Sequence, residues 1–172
     1  MTRSTKIYIL LQKHKGLIGS FYCLLKGDIY NHASIGIYEN MSEFYSFRSK
    51  WGFCEEHPFN FNKEYKRTLL CTIYEINVSS DVYLKIENEI RRFKLKKNDL
   101  HYSYLSLFLS FLGIKHHFLN RYYCSEFVAE ILSISGALNL AKDSSIYYPK
   151  DFHKEEVKLF YEGIAQDLDL TK

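Results

Sequence analysis

An α+β fold, in which a short antiparallel sheet packs against helices, is what this 172-residue sequence predicts. Three observations point there. The chain holds 15 Tyr and 13 Phe but only 2 Pro, and flat, half-buried rings pack well on a pleated surface. Residues 31–48 read as two strands joined by a turn. Two stretches, beginning near Ser79 and near Tyr123, repeat their apolar residues at helical spacing.

Residues 6–11 (Lys-Ile-Tyr-Ile-Leu-Leu) form a continuous apolar run and read as a buried strand. Residues 17–26 suit a short helix closed by Gly27. Over 31–38, His32, Ser34 and Gly36 alternate with Ala33, Ile35 and Ile37, the period of a strand. Residues 39–42 make the turn and 43–48 return as a second strand. Residues 50–66 show no period and contain a proline, so they read as loop. The β-branched and aromatic residues of 68–78 suit a third strand. Ser79 or Ser80 caps the next helix, with Asp81 in its first turn and Val82, Ile86, Ile90 and Phe93 on one face. Residues 100–112 are helical in part. Residues 123–135 form a helix with Phe127, Val128, Ile131 and Leu132 inward, and Gly136 ends it. Residues 147–151 turn, 157–161 form a last short strand, and the tail beyond Gly163 is weakly specified. With no repeat and no linker, residues 1–172 make one domain, a length that buries roughly 70% of its unfolded surface.

The net charge of +3 is too small for a nucleic-acid-binding domain. The basic run at 91–97 is the polar end of a helix. Cys23, Cys54, Cys71 and Cys124 lack the close pairing of a disulfide framework. Nothing resembles a signal peptide, and the apolar stretch 105–114 is too short to span a bilayer. The expected location is the cytoplasm, with no transmembrane segment, no nucleic-acid partner and no cofactor.

The segment 121–132 (Arg-Tyr-Tyr-Cys-Ser-Glu-Phe-Val-Ala-Glu-Ile-Leu) places Cys124 in the first turn of an amphipathic helix. Free N–H groups and the helix dipole there favour an anion and so lower a thiol pKa. A cysteine nucleophile also needs an imidazole to take its proton and return it to the leaving group. His32, which opens an apolar strand followed by small residues, is placed to do so. Cys54-Glu-Glu-His57 has half the spacing of a zinc site, but no second half completes it. There is no phosphate-cradling glycine loop.

His32-Ala-Ser-Ile-Gly-Ile-Tyr38, followed well downstream by Tyr122-Tyr-Cys-Ser-Glu-Phe-Val128, resembles the permuted branch of the NlpC-type, papain-like superfamily. The YiiX-like permuted amidases and, more distantly, the lecithin retinol acyltransferases belong there. In that branch the histidine strand precedes the cysteine helix. The resemblance covers residues 20–152 and implies a circularly permuted papain-like fold, with Cys124 as nucleophile and His32 as base. It implies a third polar group on the returning strand. Ser46 falls nearest that place, a hydroxyl where relatives carry His, Glu, Gln or Asn, and Glu43 is the fallback. It also implies that Tyr102 helps to stabilise an oxyanion, with Tyr104 equal on chemistry alone. Pro149-Lys-Asp-Phe152 matches a segment common after the cysteine helix.

The expected activity is therefore cysteine-dependent hydrolysis of a small peptide-like amide or an ester through a thioester. The alternatives are a lipid acyltransferase on the same scaffold and a non-catalytic binding module. The uncharged Ser46 at the third position motivates the last.

Overall fold

The structure, a computed structural model, describes residues 4–14, 27–59 and 69–168. The helix expected over 17–26, and Cys23 within it, lie outside the described residues. In chain order the elements are β1 (Ser4–Gln12), β2 (His32–Gly36), β3 (Phe44–Arg48), β4 (Gly52–Glu56) and β5 (Leu70–Ser79). There follow α1 (Ser80–Leu95), β6 (His101–Tyr102), α2 (Tyr104–Phe111), β7 (Arg121–Tyr122), α3 (Cys124–Ser135) and β8 (Lys158–Ile164). Six strands make one antiparallel sheet in the order β4-β3-β2-β1-β5-β8. The fold is α+β, as the sequence predicts.

β1 lies in the middle of the sheet and is buried on both faces, which is why it reads as an unbroken apolar run. Ile7, Ile9 and Leu11 enter the main core, and Tyr8 and Leu10 enter a second cluster with Phe44, Cys71 and Ile73. α1 begins as its sequence dictates. Ser79 caps it by accepting the Val82 N–H at 3.3 Å, and Ile86, Ile90 and Phe93 are buried. α3 is buried along most of its length and stops at Gly136, whose φ of 80° is the left-handed conformation of a helix terminator.

The reading of residues 50–66 as loop is corrected. Residues 52–56 form β4, paired with β3 so that Ser46 faces Cys54 and Phe44 faces Glu56. The strand hides in the sequence because Glu55 and Glu56 look like loop residues. Only Glu55 is exposed, whereas Phe53 enters the core and Glu56 is buried. Gly52 allows the turn into this strand. Its φ is +64°, and a Cβ there would stand 2.1 Å from the Leu100 carbonyl oxygen. The close approach holds β4 against the chain that leads into β6.

β4 and β3 carry one side of an aromatic cluster. The rings of Phe47, Phe53, Phe93 and Phe127 have centroids 5.0–6.1 Å apart, mostly tilted or edge-to-face. Phe127 belongs to the helix that starts at Cys124, so this cluster seats that helix on the sheet. Phe127→Ala should therefore lower the unfolding free energy by about 3–5 kcal/mol. Leu84→Ala, at a residue 51% exposed on α1, should change it by less than about 0.5 kcal/mol. Chemical denaturation measures both, and similar losses at the two positions would remove the cluster from the centre of the fold.

Candidate active site

The neighbours of Cys124 are committed to structural contacts. The Tyr123 N–H donates to the Glu126 carboxylate at 3.3 Å, and the Tyr123 hydroxyl donates to the Ser145 carbonyl at 2.9 Å. Ser125 Oγ donates to the Tyr147 carbonyl at 2.8 Å. These bonds fix the first turn of α3 and leave the Cys124 side chain facing the start of β2. Its Sγ lies 4.0 Å from the Asn31 carbonyl, close enough to His32 for the imidazole to lower the thiol pKa.

His32 opens β2, opposite Gln12 of β1. Its Nε2 lies 2.8 Å and 3.2 Å from the two carboxylate oxygens of Glu56. With Nε2 engaged, Nδ1 is the ring nitrogen open to the thiol. Arg48 Nε donates to Glu56 Oε1 at 2.6 Å. Cys124, His32, Glu56 and Arg48 thus form a chain whose charges alternate when the thiol is ionised. His32, Glu56 and Cys124 are all buried.

Burial by itself would lower the His32 pKa, but the Glu56 charge and hydrogen bonds to Cys124 and Glu56 raise it to about 9. Burial would raise Glu56, yet His32 and Arg48 hold it at about 2. Burial would also raise Cys124. The His32 hydrogen bond and charge, then the backbone N–H groups of Ala33 and Ser125, bring it below its ordinary value. Both shifts run in the direction that favours a thiolate beside an imidazolium. By contrast, burial drives the Cys54 thiol up to about 12 and the Cys71 thiol to about 11.

The structure brings together His32, Cys124 and Tyr102, but not Ser46. Ser46 Oγ donates to the Ala33 carbonyl at 2.6 Å, and the group on the imidazole is Glu56 instead. A serine is too short to pass the adjacent backbone, whereas the glutamate on the next strand carries a longer arm. Glu43 is also elsewhere, 3.0 Å from Lys94 Nζ. β6 and β7 pair in parallel, with Tyr102 opposite Tyr122, and so carry Tyr102 alongside the start of α3. Burial pushes its hydroxyl pKa up, and the nearby Cys124 charge adds to this. Tyr104 is 50% exposed. Cys54 and His57 have separate partners: Sγ lies 3.8 Å from Glu56 Oε1, and His57 Nδ1 lies 2.9 Å from the Ser42 carbonyl. Among the described residues no cluster of His, Cys, Asp or Glu converges as metal ligands would. Pro149 and Phe152 are buried, and Asp151 accepts the Tyr148 N–H at 2.8 Å.

Three residues went unseen in the sequence. Glu56 and Arg48 become visible only once residues 52–56 are known to be a strand. The third is His14. Its ring stands edge-on to His32 with centroids 4.8 Å apart. The Asn31 side chain clasps its backbone, accepting the His14 N–H at 2.8 Å and donating to its carbonyl at 2.9 Å. Burial, then the charges of His32 and Arg48, lower its pKa to about 3, so the ring is neutral. His14 Nε2, Gln12 Oε1 and Ser34 Oγ are buried without a hydrogen-bond partner among the described residues.

The two histidines affect stability in opposite senses. The folded pKa of His32 is above its ordinary 6.5, so its contribution is whole below pH 6.5 and is lost as the pH rises through about 9. For His14 the folded value is depressed, so the unfolded chain takes up a proton first and stability falls from pH 6.5 towards about 3. Urea unfolding across pH should show the alkaline slope reduced in His32→Gln and the acid slope reduced in His14→Gln. Unchanged slopes would contradict these environments. Compared with known protein families and with curated proteins, the chain matches none.

Proposed function

We propose that this chain is a cysteine-dependent hydrolase on a circularly permuted papain-like (NlpC-type) scaffold, acting on a peptide-like amide or an ester. One observation carries the reading: a buried imidazole, hydrogen-bonded to a carboxylate, stands beside a helix-start cysteine and lowers its pKa. That is the constellation that nucleophilic catalysis by a thiol requires. The order of its parts, histidine strand before cysteine helix, is that of the permuted branch.

In the proposed reaction the Cys124 thiolate attacks the substrate carbonyl carbon. A C–S bond forms and the carbonyl π pair moves onto oxygen. The Tyr102 hydroxyl and the first-turn N–H groups of α3 stabilise that oxyanion. Collapse expels the amine or alcohol, which takes a proton from the His32 imidazolium, and leaves a thioester. His32, now neutral, accepts a proton from water as the water oxygen attacks. The C–S bond then breaks, releasing the acid and restoring the thiolate and imidazolium. Glu56 holds the imidazole by Nε2–H throughout and stabilises its cationic form, and Arg48 keeps that carboxylate ionised.

Glu56 supplies the charge that Ser46 cannot, which removes the motive for reading the chain as a decayed, non-catalytic scaffold. Acyl transfer to an acceptor other than water would use the same first half-reaction. Cys54, Cys71 and Cys124 are free thiols, in keeping with a reducing compartment such as the cytoplasm. Among the described residues no helix is long and apolar enough to cross a membrane.

The test is the pH dependence of alkylation at each cysteine, read by peptide mass. Cys124 should react with an apparent pKa below the ordinary 9.0, while Cys54 and Cys71 stay nearly silent. His32→Ala should slow its reaction at neutral pH by at least about ten-fold. Glu56→Gln should slow it in the same direction, and Ser46→Ala should leave it unchanged. A Cys124 that reacts no faster than Cys71, or ignores His32, would end this proposal.

A further inference from the structure

Between α2 and β7 the chain runs through residues 113–120. Gly113 and Asn120, with φ of 73° and 59°, turn it into and out of this segment. Residues 113–117 and Leu119 are exposed. The backbone hydrogen bonds described for the segment lie at its ends. The Gly113 and Ile114 N–H groups donate to the Ser110 and Leu109 carbonyls at 3.0 Å, and the Asn120 carbonyl accepts the His101 N–H at 3.0 Å. In the middle, the His117 side chain ties the segment to the body of the protein. A stretch with so little buried surface opens at low cost once such a tether is lost.

The His117 ring stands among three carboxyl groups. Nε2 lies 3.2 Å from Asp143 Oδ1, and Nδ1 lies 3.6 Å from both Glu126 Oε1 and Glu130 Oε2. Asp143 accepts the Ser145 N–H at 2.9 Å and the Ser145 hydroxyl at 2.5 Å, and the hydroxyl bond leads in holding its carboxyl below the usual range. Asp143 is therefore an acceptor and Nε2 carries a proton, so Nδ1 is the nitrogen that gains or loses one. Glu126 Oε1 is buried with no hydrogen-bond partner among the described residues. Its Oε2 takes the Tyr123 N–H. Burial, with the charges of Glu130 and Asp143, outweighs that N–H and raises the Glu126 carboxyl to about 8. Burial also raises Glu130, against the charges of His117 and Arg92 and the Tyr122 hydroxyl, while Glu89 adds like charge. Tyr102 lies within reach of the Glu126 charge.

We propose that residues 113–120 form a pH-sensitive strap, fastened to α3 while a proton lies between Glu126 Oε1 and His117 Nδ1 and released when that proton is lost. With the proton present, a carboxyl O–H faces the Nδ1 lone pair or an imidazolium N–H faces a carboxylate. Either arrangement is attractive. Without it, a buried carboxylate faces a lone pair, and Glu130 and Asp143 add like charge. The folded value for Glu126 is above its ordinary 4.5, so its contribution is whole below pH 4.5 and is lost as the pH rises through about 8. Through the His101 N–H on the Asn120 carbonyl, the end of the strap joins the strand that carries Tyr102. The strap does not depend on Cys124 being a nucleophile.

Hydrogen exchange of the full chain, read by peptide mass from pH 6 to 9 and corrected for the intrinsic rate, tests it. Protection of 113–120 should fall by about five-fold between pH 8 and 9, the effect of one proton, while β1 keeps its own. His117→Ala should leave the strap unprotected already at pH 6. In Glu126→Gln the amide keeps the Tyr123 cap and offers an N–H to Nδ1 that no base removes, so the strap should stay protected at pH 9. Carboxyl carbon-13 shifts of the wild-type protein give a second reading, in which Glu126 should titrate where the strap loses protection. Strap protection that ignores pH, or a Glu126→Gln curve that matches the wild type, overturns the proposal. So does a Glu126 that titrates with the ordinary carboxylates.

Discussion

The buried carboxylate of Glu56 is the group on which the site depends. A lone carboxylate at 6% exposure would be protonated, but here it is flanked by Arg48 and His32 and keeps its charge. It passes that charge on by stabilising the imidazolium, and the imidazolium stabilises the Cys124 thiolate. No member of this row could be buried as an ion without its neighbour. Removing one partner from such a chain leaves an uncompensated buried charge, which costs far more than an exposed ion pair is worth.

The sheet and its aromatic core hold that row in place. β4 extends the β2–β3 hairpin by one strand and carries Glu56, and Gly52 permits the contact with Leu100 that keeps β4 in place. Phe47 and Phe53 point from the same two strands into the cluster around Phe127, three residues after the cysteine. Packing of the helix and placement of the carboxylate are therefore linked. A shift of β4 by one residue would exchange Phe53 and Glu56 between faces, breaking both the core and the charge row.

Two regions break the usual rules of burial. Beside His32, polar atoms of Gln12, His14 and Ser34 are buried with no hydrogen-bond partner among the described residues, where buried polar groups are ordinarily paired. On α2 Ser106 and Ser110 are buried while Leu105 and Phe108 are exposed. Natural chains depart from local consistency mainly where function asks for it. These departures lie at the candidate site and on the helix that begins two residues after Tyr102.

By itself the sequence determined the local elements whose periodicity is strong: the two-sided apolar run of β1, the β2–β3 hairpin, and the capped amphipathic helices α1 and α3. It also marked Cys124 and His32, because helix-start position and strand position are local properties. The tertiary structure alone decided what each imidazole face meets. Ser46 stands at the expected distance along the chain from His32, but hydrogen bonding follows distance in space, and Glu56 takes the place beside the imidazole. A third strand with two adjacent glutamates, one facing solvent and one facing the site, carries no periodic signal that separates it from a loop. The same holds for His14, whose place beside His32 comes from strand pairing across a gap in sequence, and for α2, whose apolar pattern foretold a helix but not which side faces water.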